Sequence, residues 1–207
     1  MSIVLHHHPY SRAANVVWML EEVGVPYTLR FVDIMAGEHK SEAYRALNAM
    51  GKLPVIEDGE AVVSESAAIG MYLADRYALG RLAPALDDPA RGAYLRWCLY
   101  APSVIEPGCA AHAGGWATKP SAVGWGTYET MLDTLEGGVG QGPWLLGERF
   151  TMADVILGGT LRFMMQFKMI EPRPAFAAYV ERLSARPAAV AAAAKNMEVM
   201  KAHNLGG

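Results

Sequence analysis

Residues 3–32 read IVLHHHPYSRAANVVWMLEEVGVPYTLRFV, and this stretch decides the fold of the first half of the chain. Its first apolar residues, 3–5, predict a short strand. A helix follows, because apolar residues recur at the spacing of one buried helix face, at positions 13, 16, 17 and 20. Gly24 and Pro26 end that helix, and residues 27–32 are rich in strand formers. The stretch therefore predicts a β-α-β unit with parallel strands.

A hairpin and a further helix follow this unit. Residues 53–57 and 61–63 are apolar runs separated by an Asp-Gly pair at 58–59, which is a strong hairpin signal. Pro54 must lie at an edge, a first position or an irregularity of its strand. Residues 64–66, Ser-Glu-Ser, then lead into a helix. With a short helix before the hairpin, the first half reads β-α-β, α, β-β-α.

The domain boundary falls where these patterns lapse. Gly80 and Pro84 interrupt the periodicity, so we place a linker at 79–88 between a first domain, 1–78, and a second domain, 89–207. Beyond the linker we find no convincing strand pairs, and helical periodicity recurs in residues 90–100, 128–136, 152–165, 174–184 and 188–200. The predicted fold is an α/β domain followed by an all-α helical domain.

The composition excludes several classes of protein. Of the 207 residues, 52% are apolar and 19% are charged, which suits packed cores and excludes a disordered chain. The net charge of -3, without a long basic run, gives no reason to expect a nucleic acid or membrane partner. No apolar run is long enough to span a membrane, and the first residues read as a strand and not as a signal peptide. With only Cys98 and Cys109, the sequence indicates a cytoplasmic protein with free thiols.

The turn before the first helix could stabilise a negative charge. Ser11 lies at the predicted helix N-terminus, where its hydroxyl and the helix dipole would both favour an anion. The segment has no cysteine, so it cannot exchange a dithiol with its own residues. It could still bind the thiolate of a ligand and lower the pKa of that thiol. Taken alone, a serine at this position is more often a simple helix cap.

Two further segments could bind a peptide-like ligand. Pro54 could follow a cis peptide bond, which would leave the backbone of Leu53 to pair with an extended ligand, although a trans edge-strand proline is the simpler alternative. Ser66 and the helix N–H groups beside it could hold a carboxylate, while Glu65 could accept from an ammonium group. Taken alone, residues 64–66 are more often a helix-capping sequence with an acidic residue in the first turn.

Five blocks of sequence carry a resemblance: residues 8–13 (HPYSRA), 20–27 (LEEVGVPY), 48–55 (NAMGKLPV), 64–69 (SESAAI) and 147–155 (GERFTMADV). In their order and spacing the chain resembles the cytosolic glutathione transferase family, in its bacterial, serine-type form, from residue 3 to about residue 187. The resemblance implies a thioredoxin-like N-terminal domain that binds glutathione and an all-helical C-terminal domain that contributes the pocket for the electrophile.

The resemblance also implies roles for individual residues in glutathione binding. Leu53, before a cis Pro54, would pair its backbone with the cysteinyl part of glutathione. Glu65 and Ser66 would hold the γ-glutamyl head, and Lys52 could reach the glycyl carboxylate.

The catalytic position implied by the resemblance is Ser11, which aligns with the serine that hydrogen-bonds the glutathione thiolate. Tyr10 is adjacent and is the rival for that role, and Arg12 could add positive potential. Ser11 is preferred over Tyr10 because it better fits the helix N-terminus.

The implied activity is a glutathione transferase whose bound thiolate attacks a hydrophobic electrophile or a peroxide. Members of the family usually form homodimers, so a homodimer is expected. One alternative is a specialised glutathione-dependent enzyme, such as a lyase, isomerase or dehalogenase. The other is a non-catalytic binding scaffold, which the presence of Glu65 and Ser66 disfavours, because such scaffolds often lose the residues for the glutathione head.

The helical domain offers aromatic and methionine side chains for an adaptable apolar pocket, and the candidates are Tyr100, His112, Trp116, Trp125, Met164, Met165 and Phe167.

The histidine run at 6–8 is unusual, but three successive residues of a regular element cannot converge on one ion, so no metal is predicted. In the last block, Thr151 as N-cap and Asp154 three residues later predict a capping exchange that serves folding.

Overall fold

The computed structural model describes residues 2–206, which form two compact units. The first unit comprises the chain up to Ala78 together with the segment from Arg186 onward, and the second comprises Leu79–Ala185. The predicted fold class is confirmed, because the first unit holds a four-stranded sheet with helices and the second unit is helical. Within residues 2–206 no helix is both long and apolar enough to cross a bilayer.

The sheet of the first unit has the strand order β2-β1-β3-β4. Its strands are β1 (Ile3–His7), β2 (Tyr27–Phe31), β3 (Val55–Asp58) and β4 (Ala61–Ser64). β1 and β2 are parallel, whereas β1 pairs antiparallel with β3, and β3 with β4. The predicted parallel pair and hairpin are therefore confirmed.

Two helices of the first unit connect these strands, and a third follows the last strand. They are α1 (Ala13–Val23), α2 (Glu42–Leu47) and α3 (Ser66–Tyr77). α1 ends at Gly24, whose φ of 78° is the left-handed conformation that glycine adopts without cost. The inner face of α1 is almost fully buried, as its apolar spacing predicts.

The second unit contains α4 (Arg91–Tyr100), a π-helical segment (Ala101–Ile105), α5 (Glu106–Ala113), α6 (Tyr128–Val139), α7 (Met152–Gln166) and α8 (Pro174–Ser184). α5 was not predicted, because two prolines interrupt the helical sequence pattern. In the structure Pro102 and Pro107 each occupy the second position of their segment. The π-helical turn changes the hydrogen-bond register at the point where a proline cannot donate.

The predicted capping exchange at the start of α7 is confirmed. The carboxylate of Asp154 accepts the Thr151 N–H at 2.8 Å, and its other oxygen accepts the Leu145 N–H at 2.8 Å. The Tyr179 hydroxyl of α8 donates to the same carboxylate at 2.8 Å. Since Asp154 is fully buried, these hydrogen bonds satisfy a charge that has no water to solvate it.

The last helix, α9 (Pro187–Ala202), returns to the first unit and packs along α1. Residues 186–207 thus belong to the first unit, whereas the sequence-based division assigned 89–207 to the second domain. An ion pair with a buried carboxylate on α1 contributes to this placement. Glu22 is 8% exposed and accepts two hydrogen bonds from the Arg186 guanidinium, at 2.6 and 2.8 Å.

Candidate functional site

The turn between β1 and α1 carries the predicted catalytic position. The Ser11 N–H donates to the His8 carbonyl at 3.0 Å, which closes a β-turn with Pro9 in its second position. The Ser11 hydroxyl donates to the same carbonyl at 2.8 Å and accepts the Ala13 N–H at 3.1 Å. The Ser11 oxygen is therefore fixed at the N-terminus of α1, where the helix dipole favours negative charge.

In this arrangement the Ser11 hydroxyl can turn its proton from the His8 carbonyl to the acceptor of a bound ligand. The Ala13 N–H holds the oxygen, while the single O–H points to the His8 carbonyl. A thiolate next to the hydroxyl would compete for that proton, because a charged acceptor forms the stronger hydrogen bond. Ser11 is partly buried, so the exchange would occur where solvent screening is reduced.

The two rivals for the catalytic position flank Ser11. The Tyr10 side chain is 53% exposed, and the Tyr10 N–H donates to His8 Nδ1 at 3.1 Å. Arg12 is partly buried and has helical backbone angles immediately before α1. All three predicted side chains therefore lie together at the start of this helix.

The Leu53–Pro54 peptide bond is cis. Leu53 packs against the buried cluster of Val32, Tyr44 and Val55, and it precedes β3. In the antiparallel register Val55 pairs with His6. Leu53 and Pro54 consequently lie beside the end of β1 from which the Ser11 turn departs.

Lys52 combines a fixed backbone with an exposed side chain. Its carbonyl accepts the Tyr44 hydroxyl at 3.1 Å and the Asn48 side-chain amide at 2.9 Å. Gly51 before it has a φ of +59°, and a Cβ there would lie 2.8 Å from the His39 carbonyl oxygen. Only glycine fits this position, and it directs the chain into the Lys52–Pro54 segment.

Glu65 is the N-cap of α3 and has a strained backbone. Its φ of 67° and ψ of 120° are rare for a residue with a side chain, and such conformations cost about 1–3 kcal/mol. Ser64 of β4 pairs with Val55, so Glu65 and Ser66 follow β4 next to Leu53 and Pro54. The Glu65 side chain is exposed and Ser66 is partly buried.

The three predicted segments therefore converge at one edge of the sheet. β1 ends there, β3 begins there and β4 ends there, as the registers at Val55 require. The Leu53–Pro54 segment lies between the Ser11 turn on one side and the N-terminus of α3 on the other. An extended ligand along this edge would meet a helix N-terminus at each end.

The histidine run is buried and has separate partners. His6 Nε2 lies 2.7 Å from Glu57 Oε1 of β3, and His7 Nε2 lies 2.7 Å from Asn196 Oδ1 of α9. In the part of the chain from 2 to 206 no group of three or more His, Cys, Asp or Glu side chains could hold a metal ion. The sequence analysis weighed the histidine run as a metal site and placed His8 before the turn, but it missed the contact of the His8 side chain with that turn. The available signal was its place before Pro9, where turns favour a side-chain acceptor.

The second unit contains an open cavity of about 740 Å³ between the end of α5, the start of α6 and the α7–α8 connection. Two candidates for the electrophile pocket, His112 and Met165, line it, and the His112 ring stacks on Tyr128 at a centroid distance of 3.7 Å. Met164 is instead buried in the core, and Tyr100 donates its hydroxyl to a backbone carbonyl. Trp116, Trp125 and Phe167 do not line the cavity.

Comparison with known proteins gives consistent matches for both units. The family model of the glutathione S-transferase N-terminal domain matches residues 1–75, and that of the C-terminal domain matches residues 110–182. Glutathione S-transferase F14 of Arabidopsis thaliana is 31% identical over 192 residues, which cover 83% of this chain and 75% of that protein. Glutathione S-transferase APIC of Nicotiana tabacum is 29% identical over 204 residues, which cover 91% and 95%. The crystal structure of glutathione transferase URE2P6 from Phanerochaete chrysosporium, in complex with oxidized glutathione, superposes with a TM-score of 0.79 at 26% identity, covering 96% of this chain and 97% of that one.

Proposed function

The chain belongs to the cytosolic glutathione S-transferase family, and from this premise we propose that it binds glutathione along the sheet edge of its first unit and activates the thiol for transfer. The convergence of the Ser11 turn, the Leu53–Pro54 segment and the N-terminus of α3 carries this proposal. The bound oxidized glutathione of the similar Phanerochaete enzyme supports the choice of ligand.

The γ-glutamyl head would bind at the N-terminus of α3. Its carboxylate would accept hydrogen bonds from the Ser66 hydroxyl and the first N–H groups of the helix. Its ammonium would donate to the Glu65 carboxylate, which is exposed. The strained backbone of Glu65 supports this role, because strain is retained where it directs a functional group.

The rest of the tripeptide would extend across the sheet edge towards α1. Leu53 precedes the ladder of β3, so its backbone groups could pair with the cysteinyl residue. The exposed Lys52 ammonium could pair with the glycyl carboxylate.

The thiol would ionise beside Ser11. The Ser11 hydroxyl would donate to the thiolate, and the dipole of α1 would lower the thiol pKa further. The thiolate is the nucleophile: it would form a C–S bond to the electrophilic carbon while the bond to the leaving group breaks and that group departs with the electron pair. On a peroxide it would take one oxygen as a sulfenic acid while the O–O bond breaks and an alkoxide leaves, and a second glutathione would then reduce the sulfenic acid to the disulfide with loss of water. Tyr10 and Arg12 remain the alternative donors.

We propose the cavity of the second unit as the surface that receives the hydrophobic substrate. Its volume lies within the range of about 300–1,000 Å³ that is usual for small-molecule sites. A Met165→Gln variant should raise the KM for an apolar electrophile and leave glutathione binding unchanged. Phe167→Gln is the matched control, because Phe167 lies on the same connection but outside the cavity lining. Equal effects of both variants would contradict this assignment.

A homodimer is proposed as the working form. Leu95 and Leu99 lie one turn apart on α4 and are 38% and 49% exposed, and Met50 and Val62 of the first unit are 72% and 48% exposed. Light scattering during size exclusion tests this proposal, since Leu99→Lys should shift a dimer towards monomer.

A cytoplasmic location is also proposed, because both cysteines are free and buried, as suits a reducing compartment.

The deciding experiment is a pH titration of the ultraviolet absorbance of the glutathione thiolate, with and without the protein. A bound thiol pKa well below that of free glutathione supports a transferase. Binding without a change in pKa supports a binding scaffold, and no binding contradicts the proposal. A screen of halide, epoxide, peroxide and aryl-ether substrates then separates a general transferase from a specialised lyase, isomerase or dehalogenase.

A further inference from the structure

His8 is the common acceptor for the turn that carries Ser11. Its carbonyl accepts the N–H and the hydroxyl of Ser11, at 3.0 and 2.8 Å. Its imidazole Nδ1 accepts the Tyr10 N–H at 3.1 Å, although the ring itself is fully buried. The backbone path from β1 to Ser11 is therefore fixed by one residue.

We propose that His8 is a positioning residue for the Ser11 hydroxyl, and that its imidazole supports the turn only while it is neutral, so that acid loosens the turn and lowers the activity of the site. This inference rests on the proposed function of Ser11 and adds a mode of regulation to it. His8 acts through the turn and does not itself contact glutathione.

The tautomer of His8 follows from its hydrogen bond. Because Nδ1 accepts from the Tyr10 N–H, the ring proton must be on Nε2. A second proton would occupy Nδ1 and face the N–H of Tyr10, so an attractive contact would become a repulsive one. Nε2 is also buried, and it has no hydrogen-bond partner within residues 2–206, so the imidazolium would gain no compensating bond there.

The surroundings of His8 favour the neutral form. Burial lowers the pKa of His8 below its usual value, the carboxylate of Asp33 after β2 opposes this, and His203 and His39 lower the pKa further. His7, the preceding residue on β1, is also buried, and burial lowers its pKa as well. The aromatic neighbours are Tyr10 and Phe31, whose ring centroids lie 5.4 and 5.2 Å from that of His8.

The sign of the pH effect follows directly. The neutral ring, which accepts from Tyr10, predominates above the His8 pKa, so the turn is held at neutral pH. As the pH falls through that pKa, the imidazole acceptor for the Tyr10 N–H is lost, and the turn that carries Ser11 keeps only its bonds to the His8 carbonyl.

One substitution at position 8 can keep a hydrogen-bond acceptor for the Tyr10 N–H and remove the protonation of that acceptor. His8 is the first residue of a turn, where asparagine commonly accepts the N–H of the residue two positions on. His8→Asn therefore keeps an acceptor for Tyr10 that cannot be protonated, whereas His8→Leu removes the acceptor.

The primary measurement is the amide NMR spectrum of the protein without ligand, followed as the pH is lowered. In the wild type the Tyr10 and Ser11 amide shifts should follow the ionisation of His8, and in His8→Asn this titration should disappear. His203→Asn is the control, because His203 faces His8 but makes no bond to the turn, so the titration should persist. The proposal is overturned if the Tyr10 and Ser11 amide shifts do not change with the ionisation of His8, or if they still titrate in His8→Asn. Either result holds whether or not the protein is a transferase.

Kinetics then connect the turn to catalysis. The acid limb of kcat in the wild type should contain the ionisation of His8 in addition to that of the thiol, and His8→Asn should retain only the thiol ionisation. His8→Leu should lower kcat by about five- to tenfold, the loss expected for one orienting hydrogen bond, with little change in the KM for glutathione. If the wild type does not lower the bound thiol pKa, the proposed function fails, while the NMR titration still decides the role of His8.

Discussion

Replacing Ser11 by alanine removes one hydroxyl that makes two hydrogen bonds, and each bond predicts a separate effect. The hydroxyl proton, which points to the His8 carbonyl at 2.8 Å, would be the donor to the bound thiolate. A hydrogen bond to a charged group contributes about 1.5–3 kcal/mol. At about 1.4 kcal/mol per pKa unit, its loss should raise the bound thiol pKa by about one to two units. Turnover should fall by about 10- to 100-fold, with a smaller effect on glutathione affinity.

The second bond concerns the stability of α1. The Ser11 oxygen accepts the Ala13 N–H at 3.1 Å, and losing a side-chain acceptor at a helix start costs about 0.5–2 kcal/mol. The free energy of unfolding of Ser11→Ala, measured by urea denaturation, should fall by that amount. Activity must therefore be compared at a temperature where both proteins are fully folded.

A matched control is Ser103→Ala in the second unit. The Ser103 hydroxyl also donates to a backbone carbonyl, that of Leu99, at 2.6 Å. This variant should change neither the bound thiol pKa nor turnover. If Ser11→Ala retains the thiol pKa and the turnover of the wild type, the reasoning is refuted, and the catalytic role moves to Tyr10 or Arg12.

Three further predictions concern strain, a buried ion pair and pH. Glu65→Gly should relieve the positive φ and stabilise the protein by about 1 kcal/mol in thermal denaturation, while raising the KM for glutathione; a less stable variant would contradict the strain argument. Arg186→Ala leaves the Glu22 carboxylate buried without its cation and should cost about 2–4 kcal/mol in urea denaturation, much of which the added Glu22→Gln change should restore. Burial raises the pKa of Glu21, but hydrogen bonds, including one from Lys195 at 2.6 Å, outweigh burial and leave that pKa below its usual value. The ionised Glu21 therefore stabilises the folded protein above its unfolded-state pKa, and this stabilisation is lost as the pH falls through the lower folded-state pKa. In Lys195→Met the free energy of unfolding should depend less on pH in this acid range. An unchanged dependence of the unfolding free energy on pH would refute the assignment.

Local sequence patterns predicted most of the first unit. The apolar spacing along α1 and the Asp-Gly pair before β4 each depend on residues close together in the chain, and both predictions were confirmed. The helix α5 was missed because Pro102 and Pro107 interrupt the helical pattern when they are taken as residues of a helix interior. The structure continues the helix through them with a π-helical segment, of which Ala101 and Ile105 are buried and which contacts α7.

The sequence by itself determined the fold class and the order of the elements in the first unit, because periodicity, turn residues and helix caps act over a few residues. It also supplied the segments that the resemblance assigns to glutathione binding. Only the tertiary structure decided which of these segments meet. The register at Val55 brings Pro54 between the Ser11 turn and Glu65, since strand pairing joins distant parts of the chain. The packing of α9 against α1 includes the contact of Arg186 with Glu22, which are 164 positions apart in sequence. No local pattern encodes such a contact, because it arises from the need of a buried carboxylate for a cation once the core has formed.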